Sequence, residues 1–379
     1  MNRQDVKNLA LQELDKHKCL VLELATGFGK TSIAIALMNK ICDKVWKHEN
    51  DSTTILIIVA KVVHKQTWLD EIEKWGGLKT DNVVIECYES LHKYKDAVFD
   101  AVVLDEAQHL SENRREILET IRVQENLICL SATIKKELKD YLKFKYNAYF
   151  ITCSIKKAID NNVLPEPTIY LLALNLDDNS YSYKSKMFSK ESIVTQKGYY
   201  NNITTVTEYY KSKFFTTNNE RFKILWLSTA GKRLKWLAKQ KENLVKVILR
   251  YIGHTRSLTF CSSVAQAEVL GKYNITSKNK ESYDNLEKFN KGIIHHITAC
   301  SILNEGVNLN NCKVCLFCSL SSSDIVIKQR FGRSLRHKSP IIIIPYFRHT
   351  REEEIAYKMI EEYDKTSIVH INNYKQIKL

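Results

Sequence analysis

At 379 residues, 44% of them hydrophobic and 26% charged, the chain has material for two or three packed domains and the composition of a globular protein. Its formal net charge of +14 favours a polyanionic partner, nucleic acid being the commonest, although lysines scattered along the chain supply part of that charge. No stretch approaches 18 apolar residues and the N-terminus lacks an apolar signal core, so the expectation is a cytoplasmic protein with no membrane association. Ten cysteines without a leader fit a reducing compartment better than a disulfide framework.

A helix is expected at the N-terminus and a strand at Cys19–Leu24. The strand runs into Ala25-Thr-Gly-Phe-Gly and then Lys30-Thr31, ahead of a helix-forming stretch from Ser32 to Ile41. Gly27 and Gly29 let the backbone curl so that its N–H groups face a phosphate, and the helix N-terminus adds its positive dipole. Lys30 can reach β- and γ-phosphates, and the Thr31 hydroxyl can ligate Mg²⁺. The spelling departs from G-x-x-x-x-G-K-[ST] at the first glycine, where Leu24 stands; a plain turn before a core helix is the alternative.

Strands at Thr54–Ala60, Val83–Cys87, Ala101–Leu104, Leu127–Leu130 and Ala148–Thr152 alternate with helices at His64–Trp75, Glu112–Val123 and Lys135–Leu142. That alternation predicts a mostly parallel sheet with helices on both faces. Asp105 and Glu106 follow an apolar strand, at the carboxyl end where α/β sheets hold ligands.

From Asn161 the character changes. Asn162–Thr168 carries two of the four prolines and reads as a domain exit, and Lys184–Asn219 is polar with weak periodicity. Arg221–Tyr251 reads as one or two amphipathic helices. Its Lys232, Arg233, Lys235, Lys239, Lys241 and Lys246, with Trp226 and Trp236, form a candidate face for a phosphate backbone, or an ordinary solvated face. A second α/β series follows, with strands at Ser257–Cys261, near Ile275, and at His295–Cys300, Lys313–Leu320 and Ile341–Pro345. Its helices are expected at Ala265–Tyr273, Tyr283–Asn290, Asp324–Leu335 and Glu352–Tyr363. Cys312, Cys315 and Cys318 lie in a buried-strand pattern and read as core rather than metal ligands.

Taken together, these motifs resemble in order those of superfamily 2 helicases and nucleic-acid translocases. Arg3-Gln4 is similar to the family's adenine-recognising glutamine segment, and Ala25–Thr31, with Thr26, Gly27 and Gly29, to motif I. The segment from Val59 through Lys61 to Trp75 resembles motif Ia, and Tyr88–His92, with Ser90, resembles motif Ib. Asp105-Glu-Ala-Gln108 resembles motif II in a DEAQ spelling, and Ser131-Ala-Thr133 resembles motif III. Phe260–Ser263, with Ser262, is similar to motif IV; Ala299–Leu309, with Glu305 and Gly306, to motif V; Gln329–Arg336 to motif VI.

The resemblance implies two tandem RecA-like domains, residues 1–155 and 251–379, joined by a partly helical, basic segment 156–250, with an ATP site in the cleft between the domains. It implies ATP and Mg²⁺, with Thr31 and Asp105 toward the metal and Glu106 as general base. Arg333 and Arg336, one turn apart, become arginine fingers beside Gln329, while Gln108, Ser131 and Thr133 link the phosphate state to strand grip. Lys61, Ser90, Ser262 and Glu305 are then expected at the nucleic acid. The implied activity is an ATP-dependent helicase or translocase. Gln66–Trp75 and Tyr88–His92 look most like the type III restriction-like, repair and phage recombination branch, which favours single-stranded or branched DNA. An RNA helicase, or an ATP-gated nucleic-acid clamp without processive unwinding, would use nearly the same motifs.

Overall fold

Six short runs rich in Val, Ile, Leu and Cys build the first sheet: β1 (Cys19–Leu24), β2 (Ile55–Val59), β3 (Val83–Cys87), β4 (Val98–Asp105), β5 (Arg122–Ser131) and β6 (Tyr149–Cys153). The computed structural model describes residues 2–49, 52–187, 190–300, 309, 311–335 and 337–379. Strand order is β3-β2-β4-β5-β1-β6, and every pairing is parallel. All five residues of β2 are buried, as expected of a parallel strand covered on both faces. The covering helices are α1 (Arg3–Leu14), α2 (Lys30–Glu49), α3 (Val62–Lys74), α4 (Glu112–Thr120), α5 (Lys136–Tyr146) and the short α6 (Ile155–Asp160). The helix expected over Glu112–Val123 stops at Thr120, because Arg122 already pairs with Val98 as the start of β5.

Register decides what this unit can do. Glu23 stands opposite Ser131 and Asp105 opposite Leu130, so the carboxyl ends of β1, β4 and β5 finish level with one another. The chain reaches opposite sides of β1 by successive crossovers, the topology at whose strand ends α/β sheets hold ligands.

The second unit is built on β7 (Thr168–Leu174), β10 (Ser257–Phe260), β11 (Asn274–Ile275), β12 (His296–Ala299), β13 (Val314–Phe317), β14 (Ile341–Phe347) and β15 (Ile368–Ile371). Their order is β11-β12-β10-β13-β14-β7-β15, again all parallel. β8 (Tyr183–Met187) and β9 (Lys190–Val194) form a separate antiparallel pair. Helices α7 (Gln196–Thr217), α8 (Glu220–Gln240) and α9 (Glu242–Ile252) come next, followed by α10 (Val264–Leu270), α11 (Ser282–Asn290) and, at the end, α13 (Arg351–Ile360). The remaining helix, α12 (Asp324–Ser334), groups by its contacts with the first unit. Two α/β units on parallel sheets are thus the fold class that the sequence predicts.

The segment between the two series differs from its expected form. The units divide at Glu166 and Pro167, and β7 then runs along β14 from Thr168 to Leu174, so the second sheet recruits residues well before 251. The polar stretch from Lys184 is a strand pair followed by a 22-residue helix. Its periodicity is weak because only Tyr200 and Thr207 of that helix are buried. Lys241, read as part of a basic face, is wholly buried at the break between α8 and α9, where its Nζ meets Glu352 at 2.6 Å. Arg233 is also buried, its guanidinium donating to Thr204 at 3.4 Å. Lys232, Lys235 and Lys239 are the exposed cations of that set. Cys312, Cys315 and Cys318 are buried in and beside β13, with Cys318 donating to the Ala238 carbonyl, as their apolar surroundings predict. Among the described residues no helix is long and apolar enough to cross a membrane.

Candidate nucleotide site

The phosphate loop begins where β1 ends. Ala25 donates its N–H to the Cys153 carbonyl at 2.9 Å, so the loop continues the β1–β6 ladder by one rung before it turns. Gly27 (φ 88°) and Gly29 (φ 99°) then take left-handed backbone that other residues enter only at a cost. Such turns point successive N–H groups into one concavity, and α2 starts directly behind them at Lys30. Lys30 Nζ donates to the Leu24 carbonyl at 2.9 Å, folded back across the loop it follows. Thr31, in the first turn of α2, is half-buried.

Helix α1 braces the loop. The Arg3 guanidinium donates to the Gly27 carbonyl at 3.1 Å and to the Val163 carbonyl at 3.3 Å. Gln4, the residue expected to read a base, donates instead to Asn8 along its own exposed helix at 2.8 Å. Helix α12 approaches from another side of the same unit. A Cβ added to Gly332 would stand 2.1 Å from the Thr26 Cβ, so only glycine allows this approach of helix backbone to loop. Gln329 is buried on that helix, and the Arg333 backbone lies within it. Glu305, Gly306 and Arg336 lie outside the described residues.

The acid pair lies within electrostatic reach of Lys30. Asp105 ends β4, and Glu106 adopts left-handed backbone (φ 51°, ψ 55°), an unusual state for a non-glycine residue. Asp105 is held at both oxygens, Oδ2 by the Trp68 indole N–H at 2.9 Å and Oδ1 by the Glu106 N–H at 3.0 Å. Burial, and after it the Glu106 charge, push the Asp105 carboxyl up to about 6, opposed by the Trp68 hydrogen bond and by Lys30. Trp68 was not among the residues expected at the site. Its signal is its place in Gln66-Thr-Trp68, but its partner lies 37 positions on.

From Glu106 a line of hydrogen bonds runs out to motif III. Gln108 Nε2 donates to Glu106 Oε2 at 2.8 Å, and Ser131 Oγ lies 2.6 Å from Gln108 Oε1. Ser131 Oγ accepts the Thr133 N–H at 3.1 Å. The Thr133 Oγ1 is buried with no partner of its own, which is uncommon for a hydroxyl. Beside this line Glu23 receives the Ile134 N–H at 2.9 Å and the Lys139 ammonium at 2.6 Å, which ties β1 to the loop after β5.

The residues expected at the nucleic acid are spread more widely. Lys61 caps the N-terminus of α3 and Ser90 sits in the turn Tyr88–Tyr94, both partly exposed. Ser262 belongs to the second unit, where its N–H and hydroxyl meet Gln266 Oε1 at 2.9 and 3.0 Å.

Asp105 and Thr31 supply the kind of oxygen donors that Mg²⁺ takes. A carboxyl raised by burial beside a second carboxylate is one that a divalent cation would draw back to its charged form. Among the described residues no group of three or more His, Cys, Asp or Glu could hold a metal alone, and Mg²⁺ normally needs few protein ligands besides phosphates and water.

These observations define a P-loop fold with a paired-acid motif and a partner helix at the loop, and comparison with known proteins gives the class. Residues 2–136 match the family model "Type III restriction enzyme, res subunit", and residues 239–338 match "Helicase conserved C-terminal domain". The two matches together support a superfamily 2 helicase or translocase of the type III restriction-like kind. It is 22% identical over 324 residues to the Escherichia phage T5 protein named "Probable helicase D10", with 82% of this chain and 63% of that protein covered. It is 23% identical over 348 residues to IRC3 of Saccharomyces cerevisiae, named as an ATP-dependent helicase, with 84% of this chain and 46% of that protein covered. The chain therefore spans under two thirds of the length of either relative. Among solved structures, S. cerevisiae Dbp5 bound to RNA and ADP BeF3 matches with a TM-score of 0.59 at 12% identity, over 97% of this chain and 89% of that one, a likeness of fold.

Proposed function

We propose that this protein is an ATP-driven helicase or translocase acting on DNA, single-stranded or branched. The observation that carries the reading is the hydrogen-bonded line Glu106–Gln108–Ser131–Thr133. It joins the carboxylate best placed to take a proton from water to the loop at the end of β5, so a change at the phosphates alters the hydrogen bonds of that loop. DNA is preferred over RNA on the type III restriction-like match and on the form of the segments around Trp68 and Ser90.

In this reading the amides of Gly27–Thr31 cradle the phosphates, and Lys30 leaves the Leu24 carbonyl for the β- and γ-phosphate oxygens. Thr31 and Asp105 are the residues that would hold Mg²⁺, which when bound would supply charge neutralisation at the phosphates. Glu106 orients and deprotonates the attacking water, and Arg333 and Arg336 meet the charge on the transferred phosphoryl group. Arg3, Gln4, Thr26 and Gly306 belong to nucleotide binding, and Lys61, Ser90, Ser262 and Glu305 to the sugar-phosphate backbone.

ATP turnover measured separately with single-stranded DNA, duplex DNA, branched DNA and RNA tests the reading. Stimulation by single-stranded or branched DNA, at least about tenfold above basal as an activated NTPase requires, is expected. Stimulation by RNA alone would replace DNA with RNA as the substrate, and turnover indifferent to every nucleic acid would defeat the reading. Arg333→Ala should lower kcat by about 10³-fold with a far smaller change in ATP affinity, read by stopped-flow phosphate release. An unchanged kcat would remove Arg333 from the site.

A further inference from the structure

Helices α7 and α8 pair through their length and are joined only by Asn218 and Asn219, with Asn218 in left-handed backbone at the turn (φ 50°). The base of this helical hairpin is anchored: Tyr200 and Leu237 pack with Phe347 at the end of β14. Beyond Thr207 ring contacts run between the two helices of the hairpin, and none of residues 208–232 is buried. Ten residues of α7 beyond that point reach about 15 Å at the helical rise.

The free end is built unlike a solvated helix pair. Phe215 (68% exposed), Ile224 (64%) and Leu227 (55%) project outward, beside Leu225 and Tyr209. Behind them Phe214 and Trp226 stack at 6.1 Å, and Tyr210 and Phe222 at 6.4 Å, holding the tip rigid without burying its outer side chains. From Glu208 to Leu227 the cations are Lys211, Lys213, Arg221 and Lys223, against the acids Glu208 and Glu220, which pair with Lys211 at 3.5 Å and Lys223 at 3.1 Å and leave Lys213 and Arg221 in excess. Lys213 and Lys223 lie over the rings of Tyr209 and Phe214 at 5.8 and 5.6 Å.

We propose that this tip is a binding site for nucleic acid at a strand junction, with the apolar side chains against the last base pair or first unpaired base and the cations on flanking phosphates. Resting on the nucleic-acid reading above, it adds a contact that none of the helicase motifs supplies. Phosphates offer apolar side chains nothing, whereas bases offer flat faces to stack on, accessible only where the duplex ends or the strand is unpaired. The excess of cations argues against a second copy of the same positive tip and for a polyanion.

The test is binding by nucleotide-free protein, measured by fluorescence anisotropy on a forked duplex and on a single strand of the same arm length. 2-Aminopurine at the junction reports stacking. The triple variant Phe215→Ser/Ile224→Ser/Leu227→Ser changes only exposed side chains, and its unchanged thermal midpoint checks that it folds. Fork affinity should fall about tenfold and single-strand affinity less than about twofold, with loss of the 2-aminopurine signal. Lys213→Gln/Arg221→Gln should lower the slope of log affinity against log salt by about 2. The proposal is overturned if wild-type protein does not prefer the fork, if the triple variant binds it as tightly, or if the salt slope stays put. Conversion of a wild-type dimer to a monomer by the triple variant would also overturn it, assigning the tip to a second copy. Because no ATP is present, these outcomes are separate from failure of nucleic-acid-stimulated turnover, which would instead defeat the function proposed above.

Discussion

Glu106→Gln is expected to lower kcat for ATP hydrolysis by about 10²–10⁴-fold, the range for loss of a positioned general base. The amide keeps the shape of the carboxylate and can still bond Gln108, which donates to Glu106 at 2.8 Å, so the line to Ser131 survives. On the function proposed above, what is lost is the basic oxygen that would remove the proton from water. ATP binding should be retained, because the hydrogen bonds of Glu106 run to Asp105 and Gln108 rather than to the phosphate loop. The substitution also removes one of the two causes that raise Asp105, which favours the charged carboxylate that the proposed Mg²⁺ site would use. Equilibrium ATP binding followed by single-turnover phosphate release separates the two effects. A kcat equal to wild type would exclude Glu106 as the base.

Lys241→Met should destabilise the second unit by about 3–5 kcal/mol, the usual consequence of leaving one member of a buried pair without its partner. Lys241 and Glu352 have side chains 0% and 1% exposed, and Lys241 Nζ also donates to the Pro345 carbonyl at 3.0 Å. The pair locks the α8–α9 break to the end of β14 and the first turn of α13. Lys241→Met/Glu352→Leu should recover most of the loss, since no charge is then stranded. Burial raises the Glu352 carboxyl even with the lysine opposing it. With a folded value above the ordinary 4.5, the folded state holds more protons than the unfolded one, so stability falls as pH rises through that window. Removing the lysine widens the window, so the deficit of the single variant should shrink toward acid. Urea unfolding at neutral and acid pH reads both effects; equal stabilities for the single and double variants would show that the pair is not what holds this junction.

Lys241 also marks where a sequence stops being informative. Its neighbours are lysines on a helical period, and nothing local separates it from Lys239, which is exposed. Glu352, 111 positions on, and the Pro345 carbonyl are what receive it inside the fold. The same holds for Trp68, whose indole proton serves Asp105, and for Arg3, which reaches the phosphate loop while the neighbouring Gln4 bonds along its own helix. Weak periodicity in α7 hid a long helix for a related reason: a helix that buries two of its residues has no apolar stripe to read.

What the amino-acid sequence determined by itself is the strand–loop–helix around Lys30, the acids after β4, and the alternation that makes two parallel sheets. Each depends on neighbours a few positions apart, where backbone propensity, glycine geometry and the spacing of apolar residues decide the outcome. Tertiary structure alone decided that the ends of β1, β4 and β5 finish level, and that Glu106, Gln108, Ser131 and Thr133 form one hydrogen-bonded line. It alone seats Gly332 against Thr26 and leaves the tip of α7 and α8 uncovered. Those features are pairings between segments tens to hundreds of residues apart, and a residue carries no local mark of a partner that only the folded chain brings to it.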